Sequence, residues 1–454
     1  MNAEQTTRKE LFLKATSCLV VGYGVTGKAL ARFCQTQNKR CFVFDDSTQS
    51  CDQHEVFQEN WDEVDLVLVS PGVPLSHPVI QEARQKNKAL FGELELASLF
   101  LSGRFVGVTG TNGKTTTVCL IHKMLQDAGV DAGLFGNVGE PLIEAVMQKA
   151  QHQVYVIEES SYQLELVGSL RHDIALFLNL GDDHADRYQS RDAYGQAKAQ
   201  IIKNSSEQDV FVFNDDDPFC ARVAKKGHCK SFGYSLVNVL DKGACLKNEC
   251  AQVLIAKDKV FEFDVQDRAL AGLHNLENIL ASLLVCCLID DSEAARLSYQ
   301  NTLRNFKGLP HRMQCFAEHK GVRFFDDSKA TNVPAVVMAL ASFEAGVLLV
   351  LGGRDKASDF KPLKALVEHK AKAVLLIGEA SEKIAESLKG SANIEKCGVL
   401  DKAVERAFKL MRSGDVVLLS PACASQDQFR DYSDRGDSFQ RLVNRQIQEN
   451  EVHA

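Results

Sequence analysis

Short apolar runs rich in β-branched residues recur along the chain, most of them closed by glycine, aspartate or serine. SCLVVGYG, RCFVFDD and VDLVLVS come first, followed by RFVGVTG, QVYVIEES, IALFLNL and DVFVFND. Such runs, unbroken by polar alternation, predict strands buried on both faces. Helical patterning lies between several of them, as at 28–37 and 115–128. Strand and helix in alternation predict parallel sheets with helices on both faces. GVRFFDDS, GVLLVLGG, AVLLIG and DVVLLSPA repeat the theme further on.

Glycine with polar neighbours at 102–104 and 308–310 punctuates this series. The expected fold is therefore α/β in three domains, 1–103, 104–308 and 309–454, each with a mostly parallel sheet flanked by helices. A length of 454 residues suits three cores better than one.

Composition narrows the functions. Apolar residues make up 45% and charged residues 25%, a globular balance. Lys plus Arg is 52 against 60 Asp plus Glu, so the net charge is -8. That sign argues against sequence-independent nucleic-acid binding. No apolar run reaches bilayer-spanning length, the longest lying near 280–289, and the charged start MNAEQTTRKELFLK has no signal-peptide core. A cytoplasmic protein with no membrane insertion is expected. The fourteen Cys form no C-x-x-C pair and read as small core hydrophobes.

Gly22-Tyr23-Gly24-Val25-Thr26-Gly27 follows a strand and opens a helix, and Asp45 and Asp46 end the next strand. This is the spacing of a dinucleotide turn, whose glycines let backbone N–H groups approach a diphosphate. Taken alone it suggests an NAD-dependent oxidoreductase, another diphosphate nucleotide, or a turn needed only for packing.

A second glycine loop is more specific. In Phe105–Thr116, FVGVTGTNGKTT, Gly110 and Gly113 allow the backbone to curl around phosphate oxygens. Lys114 offers charge to the terminal phosphates and Thr115 a hydroxyl to Mg2+. The strict pattern has glycine where this chain has Val108.

The form TGTNGKTT resembles the loop of the Mur ligases. EESSYQLE at 158–165, DDHADRY at 182–188, HNLEN at 274–278, LPHR at 309–312, DDSKATN at 326–332 and SPACASQDQF at 420–429 follow in the family's order. The closest likeness is to members that add D-glutamate to UDP-N-acetylmuramoyl-L-alanine. The resemblance implies a Rossmann-like N-terminal domain for the UDP-substrate, a central P-loop ATPase domain and a Rossmann-like C-terminal domain for the amino acid. It implies ATP and two Mg2+ ions, an acyl phosphate, attack by the amine through a tetrahedral intermediate, and a monomer.

By the same resemblance, Lys114, Glu158, His184, Lys198 and Lys329 are catalytic. Thr115, Glu158, His184 and Lys198, the last as a carbamate, hold metal. Gly110, Thr111, Asn112, Gly113, Lys114, Thr115, Thr116, Asn275, Asn278, Arg312 and Asp327 bind ATP. His311 is less clearly assigned. Val25, Thr26, Asp45, Asp46, Ser70 and Asn137 are expected at the UDP-substrate. Thr331, Lys356, Ser425 and Tyr432 are expected at D-glutamate. Strand alternation turns Glu159 away from Glu158. Gln426 and Tyr432 stand where the family pattern has leucine and phenylalanine. A family member adding another amino acid, an oxidoreductase and a non-catalytic nucleotide-binding protein are the alternatives. A diamino-acid ligase usually carries DNPR, which is absent from the sequence.

Overall fold

The computed structural model describes residues 3–46, 55–58, 60–183, 187–270, 272–308, 310–355 and 358–452. Three sheets organise them. In the first, Ser17–Val21 lies between Arg40–Phe44 and Leu66–Val69, with Glu55–Val56 and Ala89–Gly92 at the edges. Every pairing in it is parallel. Ser17–Val21 and Leu66–Val69 are buried throughout, as their unbroken apolar runs predict.

The second sheet has nine strands. Arg104–Thr109 sits between Val154–Glu158 and Ile174–Phe177, all parallel, so the loop after Thr109 and the carboxylate of Glu158 emerge at one edge. Four strands between 230 and 264 extend the sheet beyond Val210–Asn214. Three of them, Gly243–Lys247, Cys250–Ala256 and Lys259–Asp264, pair antiparallel. None belongs to the predicted apolar runs. A tight two-residue turn at Asn248 and Glu249, both with positive φ, folds one hairpin. The outermost strand is half charged, as an exposed edge requires.

The third sheet has the order Gln314–His319, Val322–Asp326, Val416–Leu419, Val347–Gly352, Ala371–Ile377, Asn393–Gly398. Only the first pairing is antiparallel. Val416–Leu419, last in sequence, is inserted between two earlier strands. The loops beginning at 327, 353 and 420 therefore leave the same edge, the place where open α/β sheets bind ligands.

By contact density the chain forms two units, Met1–Arg268 with Asn275–Asn305, and Ala269–His274 with Phe306–Ala454. The first two sheets share a unit because one apolar cluster runs through both, taking in Phe12, Val20 and Leu30 with Leu142, Ile157 and Phe177. A buried carboxylate reinforces it. Glu95 accepts from Arg8 Nε at 2.6 Å and from the backbone N–H groups of Gly168, Ser169 and Leu170. No helix among the described residues is long and apolar enough to cross a membrane.

Candidate functional site

The loop after Arg104–Thr109 leads into the helix Lys114–Asp127. Gly113 has φ +83°, and a Cβ there would collide with Asn278 Oδ1. Glycine alone fits both the left-handed backbone and that approach. Asn179 shapes the loop from outside: its backbone oxygen accepts from Thr111 N and its Oδ1 from Asn112 N, each at 2.9 Å. Nothing in the local pattern of IALFLNL marks Asn179 for this task. Val108 is fully buried in the strand, so its departure from the strict glycine pattern serves the core.

Lys114 Nζ donates to the carbonyls of Gly110 and Thr111 at 2.8 and 2.9 Å. Lys198, on the helix Arg191–Ala199, reaches the same Gly110 oxygen at 2.8 Å. It is 1% exposed, and its ammonium stands 4.6 Å from the Tyr194 ring centre. Burial first, then the charge of Lys114, holds Lys198 well below the ordinary lysine range, although Asp183 and Glu158 oppose the shift. A lysine in that position is held towards its neutral, nucleophilic amine.

Glu158 ends its strand with 2% exposure. Its Oε1 accepts from Asn137 Nδ2 at 2.8 Å. Its Oε2 has no hydrogen-bond partner among the described residues. Asn137, expected at the UDP-substrate, is thus tied to the carboxylate beside the phosphate loop. Asn278 Oδ1 accepts from Thr117 Oγ1 at 3.2 Å, and Asn278 Nδ2 donates to Asn275 Oδ1 at 3.3 Å. Both asparagines are buried and brace the phosphate-loop helix.

A divalent cation fits this donor set. Magnesium at a phosphate site takes one or two carboxylates, a hydroxyl, phosphate oxygens and water. Among the described residues Glu158 leaves one buried oxygen open, and the hydroxyl-bearing Thr115 lies in the first turn of the adjoining helix. No cluster of three or more His, Cys, Asp or Glu suited to a metal gathers among the described residues. His184 lies outside the described residues.

The N-terminal turn is built separately. Gly22 has φ +88°, and a Cβ on Gly27 would run into the Gly22 carbonyl oxygen. Ser70 Oγ donates to that oxygen at 2.6 Å. Asp45 Oδ2 accepts from Tyr23 N at 2.6 Å, which places its carboxylate within the turn. Asp46 is exposed and stands 3.2 Å from His77 Nε2. Val25 is 77% exposed at the helix start, with Thr26 half-buried after it.

Arg187, not singled out in the sequence, joins this turn region to the second sheet. Its guanidinium donates to the carbonyls of Pro71 and Val73 at 3.2 and 3.4 Å and to Glu165 at 2.5 Å. It also stacks on Tyr162, 4.1 Å from the ring centre. Glu159 turns away from Glu158, as alternation predicts, and meets the equally buried His172 at 2.6 Å.

The C-terminal unit gathers a second set. Asp327 accepts from Ser420 Oγ at 2.8 Å and from Met313 N at 3.2 Å. Burial pushes its carboxyl up to about 7, opposed by those hydrogen bonds and by the charge of Arg312. Lys329 Nζ stands 3.9 Å from the Tyr432 ring centre. His311 Nδ1 pairs with Asp326 Oδ2 at 2.7 Å, which raises the imidazole pKa. Thr331 is half-buried, Ser425 buried and Gln426 exposed. The loops holding Ser425 and Arg354 pair through Arg354 N and Ala424 O at 2.9 Å. Lys356 lies outside the described residues. Arg435, also unforeseen, is fully buried and binds the backbone oxygens of Ser328, Cys423 and Ala424. It ties the DDSKATN and SPACAS segments together.

Comparison with known proteins agrees with this organisation. Three family models match: "Mur ligase MurD-like, N-terminal domain" at 16–92, "Mur ligase middle domain" at 108–286 and "Mur ligase, glutamate ligase domain" at 311–423. A Geobacter sp. (strain M21) protein named UDP-N-acetylmuramoylalanine–D-glutamate ligase is 37% identical, over 95% of this chain and 98% of its own. A Myxococcus xanthus (strain DK1622) protein of the same name is 41% identical over 84% of each. Among solved structures, the MurF ligase of Thermotoga maritima in complex with ADP superposes with a TM-score of 0.63. It is 18% identical, over 99% of this chain and 100% of that one. UDP-N-acetylmuramate-alanine ligase from the same organism gives 0.59 at 16% identity, over 95% and 99% of the two chains. These two likenesses concern the fold.

Proposed function

This chain belongs to the Mur ligase family, and from that premise we propose that it joins D-glutamate to UDP-N-acetylmuramoyl-L-alanine at the expense of ATP, a step of peptidoglycan precursor synthesis. The observation that carries the reading is the convergence of Lys114 and Lys198 on the Gly110 carbonyl, with the strand-end carboxylate Glu158 at the same sheet edge. A carboxylate is a poor acylating agent at neutral pH. Transfer of the ATP γ-phosphoryl group to the substrate carboxylate makes an acyl phosphate and ADP. The amine of D-glutamate then adds to the carbonyl carbon, and the tetrahedral intermediate collapses with loss of inorganic phosphate.

The residues divide the work. The start of the helix Lys114–Asp127 presents N–H dipoles to the phosphates. Lys114 exchanges its two loop carbonyls for phosphate oxygens and offsets the charge gathered in transfer. Thr115 and Glu158, together with His184 and a carbamate formed on Lys198, would hold Mg2+. When bound, Mg2+ neutralises phosphate charge and polarises the phosphoryl group. The depressed basicity of Lys198 suits the modification, because carbon dioxide adds to the unprotonated amine, forming an N–C bond as one N–H proton is released to solvent. Asn275, Asn278, Arg312, Asp327 and Lys329 are assigned to ATP. The turn at Gly22, with Val25, Thr26, Asp45, Asp46 and Ser70, is assigned to the UDP-substrate. Thr331, Lys356, Ser425 and Tyr432 are assigned to D-glutamate. The domain limits 103 and 308 go with this assignment, as does a location in the cytoplasm, where ATP and nucleotide sugars are held.

Phosphate release from ATP in the presence of UDP-N-acetylmuramoyl-L-alanine tests the reading. Release that depends on D-glutamate, and not on L-alanine or a diamino acid, is expected. NAD reduction without ATP use overturns it. Lys114→Ala should abolish turnover and leave binding of the UDP-substrate intact.

A further inference from the structure

We propose that Glu159 and His172 are positioning residues that fix the helix bearing Lys198 against the strand end bearing Glu158. Both side chains are fully buried, and no step of the ligase chemistry uses them. His172 Nε2 lies 2.6 Å from Glu159 Oε1, and His172 Nδ1 lies 2.9 Å from the carbonyl of Ile201. Both neighbours are acceptors, so the imidazole donates from both nitrogens, or Glu159 carries the shared proton. Either form spans the same two anchors and is neutral as a pair.

The anchors are what give the pair its reach. Ile201 lies in the single turn Gln200–Ile202 that continues the Lys198 helix. Glu159 follows Glu158 directly. Its backbone N donates to Val108 O at 2.9 Å, and its backbone O accepts from Thr109 Oγ1 at 2.9 Å. One buried relay therefore links the strand that leads into the phosphate loop, the strand end of Glu158 and the helix of Lys198. Gly107 is shaped to it: a Cβ there would lie 2.5 Å from His172 Cδ2 and 2.9 Å from Glu159 Oε1. That close approach explains a glycine inside a buried strand, between Val106 and Val108. Groups behind metal ligands orient them, and losing one typically costs about 10- to 100-fold in metal affinity.

This inference rests on the ligase reading and on Glu158 and Lys198 as cation-holding groups. The test compares Glu159→Leu/His172→Leu and Glu159→Gln with the wild-type enzyme. The double variant exchanges a buried polar pair for apolar groups of similar volume, which keeps a fold intact more often than removing one partner does. The glutamine amide can donate to His172 Nε2 while Nδ1 still donates to Ile201, so the single variant preserves the span. Binding of Mn2+ in the presence of ADP is counted by electron paramagnetic resonance, alongside the steady-state constants and the melting temperature. For the folded double variant, a rise of about 10-fold in the Mn2+ dissociation constant is expected. Its kcat should fall while the KM for D-glutamate stays unchanged, and Glu159→Gln should lie within about twofold of wild type on every measure. A folded double variant that binds Mn2+ as wild type does overturns the proposal, and so does a Glu159→Gln enzyme as impaired as the double variant. Wild-type enzyme that binds Mn2+ with ADP but shows no D-glutamate-dependent phosphate release sinks the ligase reading instead.

Discussion

Lys114 and Lys198 donate to one and the same oxygen, each ammonium 2.8 Å from the Gly110 carbonyl. Burial disfavours a charged Lys198, and the neighbouring charge of Lys114 adds to that. Lys198 is the group whose basicity falls. Replacing it by alanine should lower the rate of ADP formation by about 100-fold or more, the scale of losing one electrostatic group in a site. Formate or acetate in the assay should restore part of the rate by supplying the missing anion. A fully active Lys198→Ala enzyme would rule out the carbamate.

Gly113→Ala places a methyl group on Asn278 Oδ1 and forces an L-residue to φ +83°. The backbone strain alone costs about 1–2 kcal/mol. A lower melting temperature and loss of nucleotide binding by calorimetry are expected together. A variant that binds ADP normally would show that the contact with Asn278 is dispensable.

Asp327 gives a pH dependence of definite sign. Its folded carboxyl is raised from the ordinary 3.8 to about 7, chiefly by burial. Between those values the folded state binds more protons than the unfolded state, so the stability contributed by this group falls as pH rises and is lowest above 7. Asp327→Asn should therefore stabilise the protein relative to wild type at pH 8, by about 2 kcal/mol once its altered hydrogen bonds are allowed for. The difference should shrink towards pH 4. Denaturant melts at the two pH values decide it, and a gap that widens on acidification contradicts the assignment.

Arg187 holds the segment from Pro71 to Val73, next to Ser70, against Glu165 and Tyr162. Arg187→Ala should raise the KM for the UDP-substrate by about 10-fold with kcat nearly unchanged, the pattern of a group that aids binding and not chemistry. Initial rates over a range of UDP-substrate concentrations check this. A fall in kcat at constant KM would place Arg187 in the reaction itself.

Much of the architecture was legible along the chain because its signals are local. A buried parallel strand must be apolar along its whole length, so the runs at 17–21, 66–69 and 347–352 announced themselves. Edge strands such as Lys259–Asp264 did not, since one exposed face removes that signature. The phosphate loop was legible for the same local reason: its glycines answer to backbone angles set within a few residues.

What sequence alone determined, then, is the α/β class, the two glycine turns and the order of motifs that marks the family. Tertiary structure decided how each charged group behaves. It buried Lys198 beside Lys114, left one oxygen of Glu158 without a partner among the described residues, paired Glu159 with His172, and set Asn179 and Arg187 to work on loops far from them in sequence. The reason is that turns and strands follow from neighbouring residues, whereas solvation, charge and hydrogen-bond partners are contributed by segments tens of residues away.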